Sequence, residues 1–176
     1  EEDGRLPFEV DLGMLFNQSK FSVSGGTPVF CECKSLGDKF DEKSVKNLEH
    51  LGERIPGSVL VFSTLRNKLE KSEIKLLTAL TKRNRKKKKL QKPFNEILVL
   101  TATELFAEWG PPHCWEDAGG KYVPFAKSYE RYWGLDGLCD TTQQIYLGLP
   151  PYHKEEQDYY DARRLKRESA KLAKAV

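Results

Sequence analysis

The apolar positions of this chain fall into short continuous runs separated by stretches of helical periodicity. LPFEVDLGMLF (6–16), TPVFCECKS (27–35), SVLVFSTL (58–65) and NEILVLT (95–101) are dense in Val, Ile, Leu and Phe, as expected of strands buried in a sheet. The loop between the first two contains Gly25-Gly26, a turn signal, so they read as a hairpin or as two adjacent strands. From Asp41 the period changes. Val45, Leu48 and Leu51 fall at i, i+3 and i+6, with Asp41 placed to cap a helix and Pro56-Gly57 placed to end it. Ile74, Leu76, Leu77 and Leu80 mark a second helix, which begins near Ser72 and runs into a basic segment before Pro93.

Strands alternating with helices predict an α/β domain with a parallel, right-handed crossover and a sheet covered on both faces. Residues 109–152 change character, being rich in Gly, Pro and aromatic residues. They predict short helices and loops packed on the main sheet, not a second independent domain. Residues 153–176 predict a terminal helix, acidic first and basic later, an order the helix dipole favours without any function. The expected organisation is a core over residues 1–108 and a helical, aromatic extension over 109–176.

Charge sharpens this picture. The 176 residues carry a formal net charge of +3, but eight of the 29 lysines and arginines lie in KRNRKKKKLQK (82–92), which holds no acid. Without that segment 21 basic residues face 26 acidic ones, a balance of −5. The positive charge is therefore local, and Lys82, Arg83, Arg85, Lys86, Lys87, Lys88 and Lys89 are candidate phosphate contacts. A solvated loop or a localisation signal gives the same composition. No apolar run approaches the length of a membrane span and no secretory leader is visible, so a cytoplasmic protein with no membrane partner is expected.

Four cysteines (Cys31, Cys33, Cys114, Cys139) and three histidines (His50, His113, His153) do not match zinc spacing. Nor do so few cysteines in a chain this long suggest a disulfide framework; buried, reduced thiols are expected.

The candidate chemistry lies in CECK, residues 31–34. On a strand, Glu32 and Lys34 share one face while Val29, Cys31 and Cys33 share the other. If the preceding strand pairs with this one, Asp11 approaches Glu32, and two carboxylates and a lysine cluster at one end of a sheet. Adjacent carboxylates repel unless something neutralises them. A divalent cation, Mg²⁺ or Mn²⁺, does so with one or two carboxylates, waters and a substrate phosphate oxygen. Such a kit suits phosphodiester hydrolysis, the lysine orienting or deprotonating water or offsetting charge. A structural Glu32–Lys34 ion pair is the plainer alternative, although buried pairs seldom add much stability.

FEVDLGMLF…TPVFCECKS, with the helix DEKSVKNLEHLGERI and the strand SVLVFSTL, resembles the PD-(D/E)xK nuclease superfamily over roughly residues 8–65. The resemblance implies a restriction-endonuclease-like fold: a central mixed sheet flanked by helices. It implies a Mg²⁺-dependent endonuclease with Asp11 and Glu32 as metal-binding carboxylates, the main-chain carbonyl of Cys33 as a third metal ligand, and Lys34 as the catalytic lysine. Glu9 would match an extra acid found in some members or be a surface strand residue, and Ser35 and Lys39 would contact phosphate or, more commonly, form a polar loop. Members of the superfamily place a helix and a strand before the Asp-bearing strand, whereas ten residues precede Asp11 here. A homodimer or an attached upstream sensor or motor domain is therefore an expected partner, beside nucleic acid, with DNA favoured. Trp109, Trp115, Tyr129, Tyr132 and Trp133 are candidates for base stacking or, more commonly, core. A nucleic-acid-binding or scaffold module without turnover is the alternative function.

Overall fold

The computed structural model describes residues 10–16, 26–129 and 134–174. Four strands form one mixed sheet in the order β1 (Leu12–Phe16), β2 (Thr27–Lys34), β3 (Val59–Thr64), β4 (Glu96–Leu100). β1 pairs antiparallel with β2, Leu12 facing Cys31 and Phe16 facing Thr27. β2, β3 and β4 are parallel, with Val29 opposite Val59 and Val59 opposite Glu96. Parallel neighbours need a crossover to return the chain to the end of the sheet where the previous strand began. α1 (Glu42–Arg54) and α2 (Lys71–Lys89) provide the two crossovers.

Strand alternation divides the core. Phe30, Leu60, Phe62, Ile97 and Val99 pack with Val45 and Leu48 of α1 and Leu77 and Leu80 of α2. From the other face, Val29, Cys31, Val59, Val61 and Leu98 form a second cluster with Cys139. Both helices start where the spacing predicts. α1 begins with a capping box in which Asp41 accepts from the Ser44 amide and the Ser44 hydroxyl accepts from the Asp41 amide, and it ends one residue before Pro56-Gly57, where Gly57 takes φ 82°.

The chain beyond residue 109 completes this core. It forms α4 (His113–Ala118), α5 (Val123–Tyr129), α6 (Leu135–Leu147) and α7 (Tyr152–Lys174), after a single turn, α3 (Ala102–Leu105). α6 lies along the free edge of β4. Gln143 Nε2 donates to the Ile97 carbonyl (2.7 Å) and the Thr142 hydroxyl accepts the Val99 amide (3.4 Å). Side chains of α6 thus satisfy backbone groups that an exposed edge strand would leave open. Tyr146 and Leu147 enter the first core cluster and Cys139 the second. Among the described residues no helix is long and apolar enough to cross a membrane.

Candidate active site

At the C-terminal end of β2, alternation puts Glu32 and Lys34 on the same face as Phe30. Their charged groups form an ion pair, Nζ to Oε1 2.8 Å, and both side chains are partly buried. Asp11 stands immediately before β1. Its amide donates to the Cys31 carbonyl (3.1 Å), and its Oδ2 accepts the Cys33 amide (2.6 Å). The carboxylate therefore occupies the place of a main-chain acceptor on the neighbouring strand. For this reason the paired strand starts at Leu12, whereas the sequence pattern predicts a strand running through Asp11. Glu9 lies outside the described residues.

Asp11, Glu32 and Lys34 line one cleft of about 310 Å³, closed by Asp41, Lys43, Ser44 and Asn47 from the start of α1. Those four α1 positions are not recognised in the sequence as site residues; Asp41 is legible only as a helix cap. They reach the cleft because the loop over residues 35–41 is short and pinned. Ser35 donates to Asp38 (2.6 Å), Lys39 pairs with Glu70 (2.9 Å), and the Phe40 amide donates to Glu73 (2.8 Å). Ser35 and Lys39, the expected phosphate contacts, thus have partners within the chain.

The hydrogen bond to Glu32 raises the Lys34 pKa above the ordinary lysine value against the opposing effect of burial, and the charges of Glu32, Asp41 and Asp11 add to it. The ammonium is therefore held charged. Asp41 is lowered by hydrogen bonds from the Ser44 amide and hydroxyl, with smaller help from Lys34 and Lys43. Burial pushes the Cys31 thiol up to about 12, so it is an inert neighbour. Three cysteines are buried free thiols as expected, but Cys33, near the end of β2, is exposed, with its sulfur accepting from the Ser63 hydroxyl (3.2 Å).

Asp11 and Glu32 offer hard oxygen donors. The Lys34 carbonyl accepts the Leu65 amide across the parallel ladder (3.0 Å), so the Cys33 carbonyl, one residue earlier, turns to the β1 side where Asp11 lies. Among the described residues no three His, Cys, Asp or Glu side chains converge on one point. Two carboxylates and a carbonyl suit an ion such as Mg²⁺, which keeps several of its own waters.

The basic segment is built differently from its sequence pattern. It is the last turns of α2, and α2 runs from the C-terminal ends of the parallel strands, where Lys34 lies, back to their N-terminal ends. Lys82–Lys89 therefore lie one helix length from the cleft, roughly 20 Å or more at ~1.5 Å per residue. Most of the segment is engaged internally. Arg85, 5% exposed, donates to Gln143, the Pro150 carbonyl, Asp140 and Glu155. Arg83 pairs with Glu49, Lys87 with Glu53, Lys88 with Glu96 and Lys89 with Glu155. Lys82 and Lys86 are exposed. Of the aromatic candidates, Trp115 is fully buried against Tyr129 and Trp109 is 60% exposed. Tyr132 and Trp133 lie outside the described residues.

Fold and site together define an α/β protein with a four-stranded mixed sheet, flanked by helices, that gathers two carboxylates and a lysine at one strand end. No family model, curated protein or solved structure matches the chain.

Proposed function

We propose that this chain is a metal-dependent nuclease of restriction-endonuclease-like fold, hydrolysing phosphodiester bonds with DNA favoured as substrate. The observation that carries the reading is the meeting in one cleft of Asp11, just before β1, with Glu32 and Lys34 of β2, 21 and 23 residues later in sequence. The reading is also supported by β1 and β2 as an antiparallel pair followed by α1 and β3, the order the resemblance implies over residues 8–65.

Asp11 and Glu32, with the Cys33 carbonyl, would hold a Mg²⁺ or Mn²⁺ ion, which when bound lowers the pKa of a water and offsets phosphate charge. The chain's own residues do the rest. The Cys33 amide orients Asp11 by fixing one of its oxygens. Glu32 holds the Lys34 ammonium in the cleft, where it donates to a phosphate oxygen and stabilises added negative charge. Lys43 stands at the opposite wall as a second cation.

The decisive experiment incubates supercoiled plasmid and single-stranded DNA with the chain in Mg²⁺, Mn²⁺ or EDTA. Wild type is compared with Asp11→Asn, Glu32→Gln and Lys34→Ala. Cutting that requires the metal and falls at least about 100-fold in each variant supports the reading. Cutting unchanged by the substitutions defeats it. The Glu32–Lys34 pair also favours a second reading, a silent module on the same fold, and DNA binding without cutting would select that one.

A further inference from the structure

We propose that the outward face of α2 is a track for a nucleic-acid backbone, leading from the candidate active site to a groove against α7. This rests on the nuclease reading for its substrate class but on separate residues. Lys71, Lys75, Lys82, Lys86 and Lys89 are spaced 4, 7, 4 and 3 residues apart along α2. At 100° per residue they fall within an arc of about 60°, and they span about 27 Å of helix. That is the axial length of about eight base-pair steps at ~3.4 Å per strand phosphate.

The stripe faces away from the core, into which Glu73, Leu77, Leu80 and Asn84 point. Lys71, Lys75, Lys82 and Lys86 are exposed, and no carboxylate among the described residues pairs with any of the four. The cations beside the stripe are neutralised, Glu49 and Glu53 of α1 taking Arg83 and Lys87, and at the far end of the stripe itself Lys89 pairs with Glu155. The only acid within α2 is Glu73, which is buried. A solvated surface helix ordinarily alternates its charges and pairs them at i, i+4. Here acids flank the stripe, and among the described residues Glu155 alone pairs with one of its lysines, Lys89 at the far end.

Both ends connect to features a bound backbone would use. Lys71 shares a surface crevice with Leu36, two residues past Lys34, and with Arg66 and Lys68. At the far end Lys82, Lys86 and Lys89 form one wall of a groove of about 420 Å³ whose other wall is Glu155 and Tyr159 of α7. Arg163 and Lys166 continue the Glu155–Tyr159 stripe of α7 at spacings of 4 and 3, and both are exposed. Polyanion contact at regular intervals along a rigid helix is the chemistry that recognises a phosphodiester chain by charge and not by base.

The test uses the full chain in EDTA, so that binding is read without cutting, with fluorescein-labelled duplex DNA, single-stranded DNA and RNA of equal length. Fluorescence anisotropy is followed from 50 to 250 mM salt. The variants are Lys71→Gln/Lys75→Gln, Lys82→Gln/Lys86→Gln, and the four together. A control replaces Lys46, Lys121, Lys127 and Lys154 with Gln. The expected result is at least a 10-fold loss of affinity for one of the three nucleic acids in the four-fold variant, with the salt slope shallower by about 3 to 4, near 0.9 per duplex phosphate contact removed. Each pair is expected to give about half the slope change. Wild-type affinity in the four-fold variant, or an equal loss in the control, overturns the track, as does an acidic peptide binding as tightly as all three nucleic acids. Cleavage of the same probes by wild type and the stripe variants in Mg²⁺ separates the two proposals. If wild type never cuts but binding depends on the stripe, the nuclease reading fails alone; if wild type cuts and the stripe variants bind and cut normally, the track fails alone.

Discussion

Glu73 has no solvent exposure, yet its two oxygens accept from the Phe40 amide, the Glu70 amide and both terminal nitrogens of Arg66. Burial alone would raise its pKa. The Arg66 hydrogen bonds and the Glu70 and Phe40 amides outweigh that, and the net shift is downward. A carboxyl whose folded pKa is depressed stabilises the fold above its unfolded value, about 4.5, and loses that contribution as pH falls through the folded value. Glu73→Ala is predicted to cost about 3–5 kcal/mol at pH 7 in urea unfolding, because it strands a partly buried guanidinium and two amides. Glu73→Gln keeps the shape and should flatten the loss of stability below pH 4.5, measured as the unfolding midpoint against pH. A helix at this position is evident from the apolar spacing. The role of Glu73 is not, since its partners come from the loop before α1 and the end of β3.

The close approach of α1 to the sheet depends on a glycine. A Cβ on Gly52 would sit 2.6 Å from Asn95 Nδ2 and 3.0 Å from Leu60 Cδ1. Asn95 cannot simply move away. Its Oδ1 accepts from the Ser58 amide and hydroxyl, and its main-chain amide donates to Asn84 Oδ1. Gly52→Ala is therefore predicted to destabilise by about 1–3 kcal/mol despite the better helix propensity of Ala, with thermal melting as the check. At the other end of α1, Asp41→Ala should cost about 1 kcal/mol as a lost cap. Because Asp41 also walls the cleft, the same variant should alter cleavage beyond its effect on folding.

Arg85 sets the relation between the two halves of the chain. From α2 it reaches Asp140 and Gln143 on α6, the Pro150 carbonyl before α7, and Glu155 on α7, with the ring of Tyr152 5.8 Å away. Arg85→Met is predicted to lose about 3–5 kcal/mol and to release α7 first, seen as faster amide exchange in residues 152–160 than in β3. Arg85→Lys should rescue little, since one ammonium cannot serve four acceptors in a planar fork. The tie also explains why residues 109–176 act as part of the core: α6 closes the β4 edge, and Arg85 fastens α6 and α7 to the helix beside it.

Local physics made much of this protein legible in its sequence. Apolar runs marked β2, β3 and β4 to within a residue or two, and the cap at Asp41 and the stop at Pro56-Gly57 bounded α1, because strand burial and helix termination depend on near neighbours. The facing of Glu32 and Lys34 followed from strand alternation. Tertiary structure decided what depends on distant partners. Asp11 ends a strand by accepting the Cys33 amide, α1 adds a wall to the cleft, and a run of eight basic residues divides into buried ties and outward cations. A lysine pattern does not show where carboxylates 8 to 70 residues away will stand, and those carboxylates determine which cations remain available to a ligand.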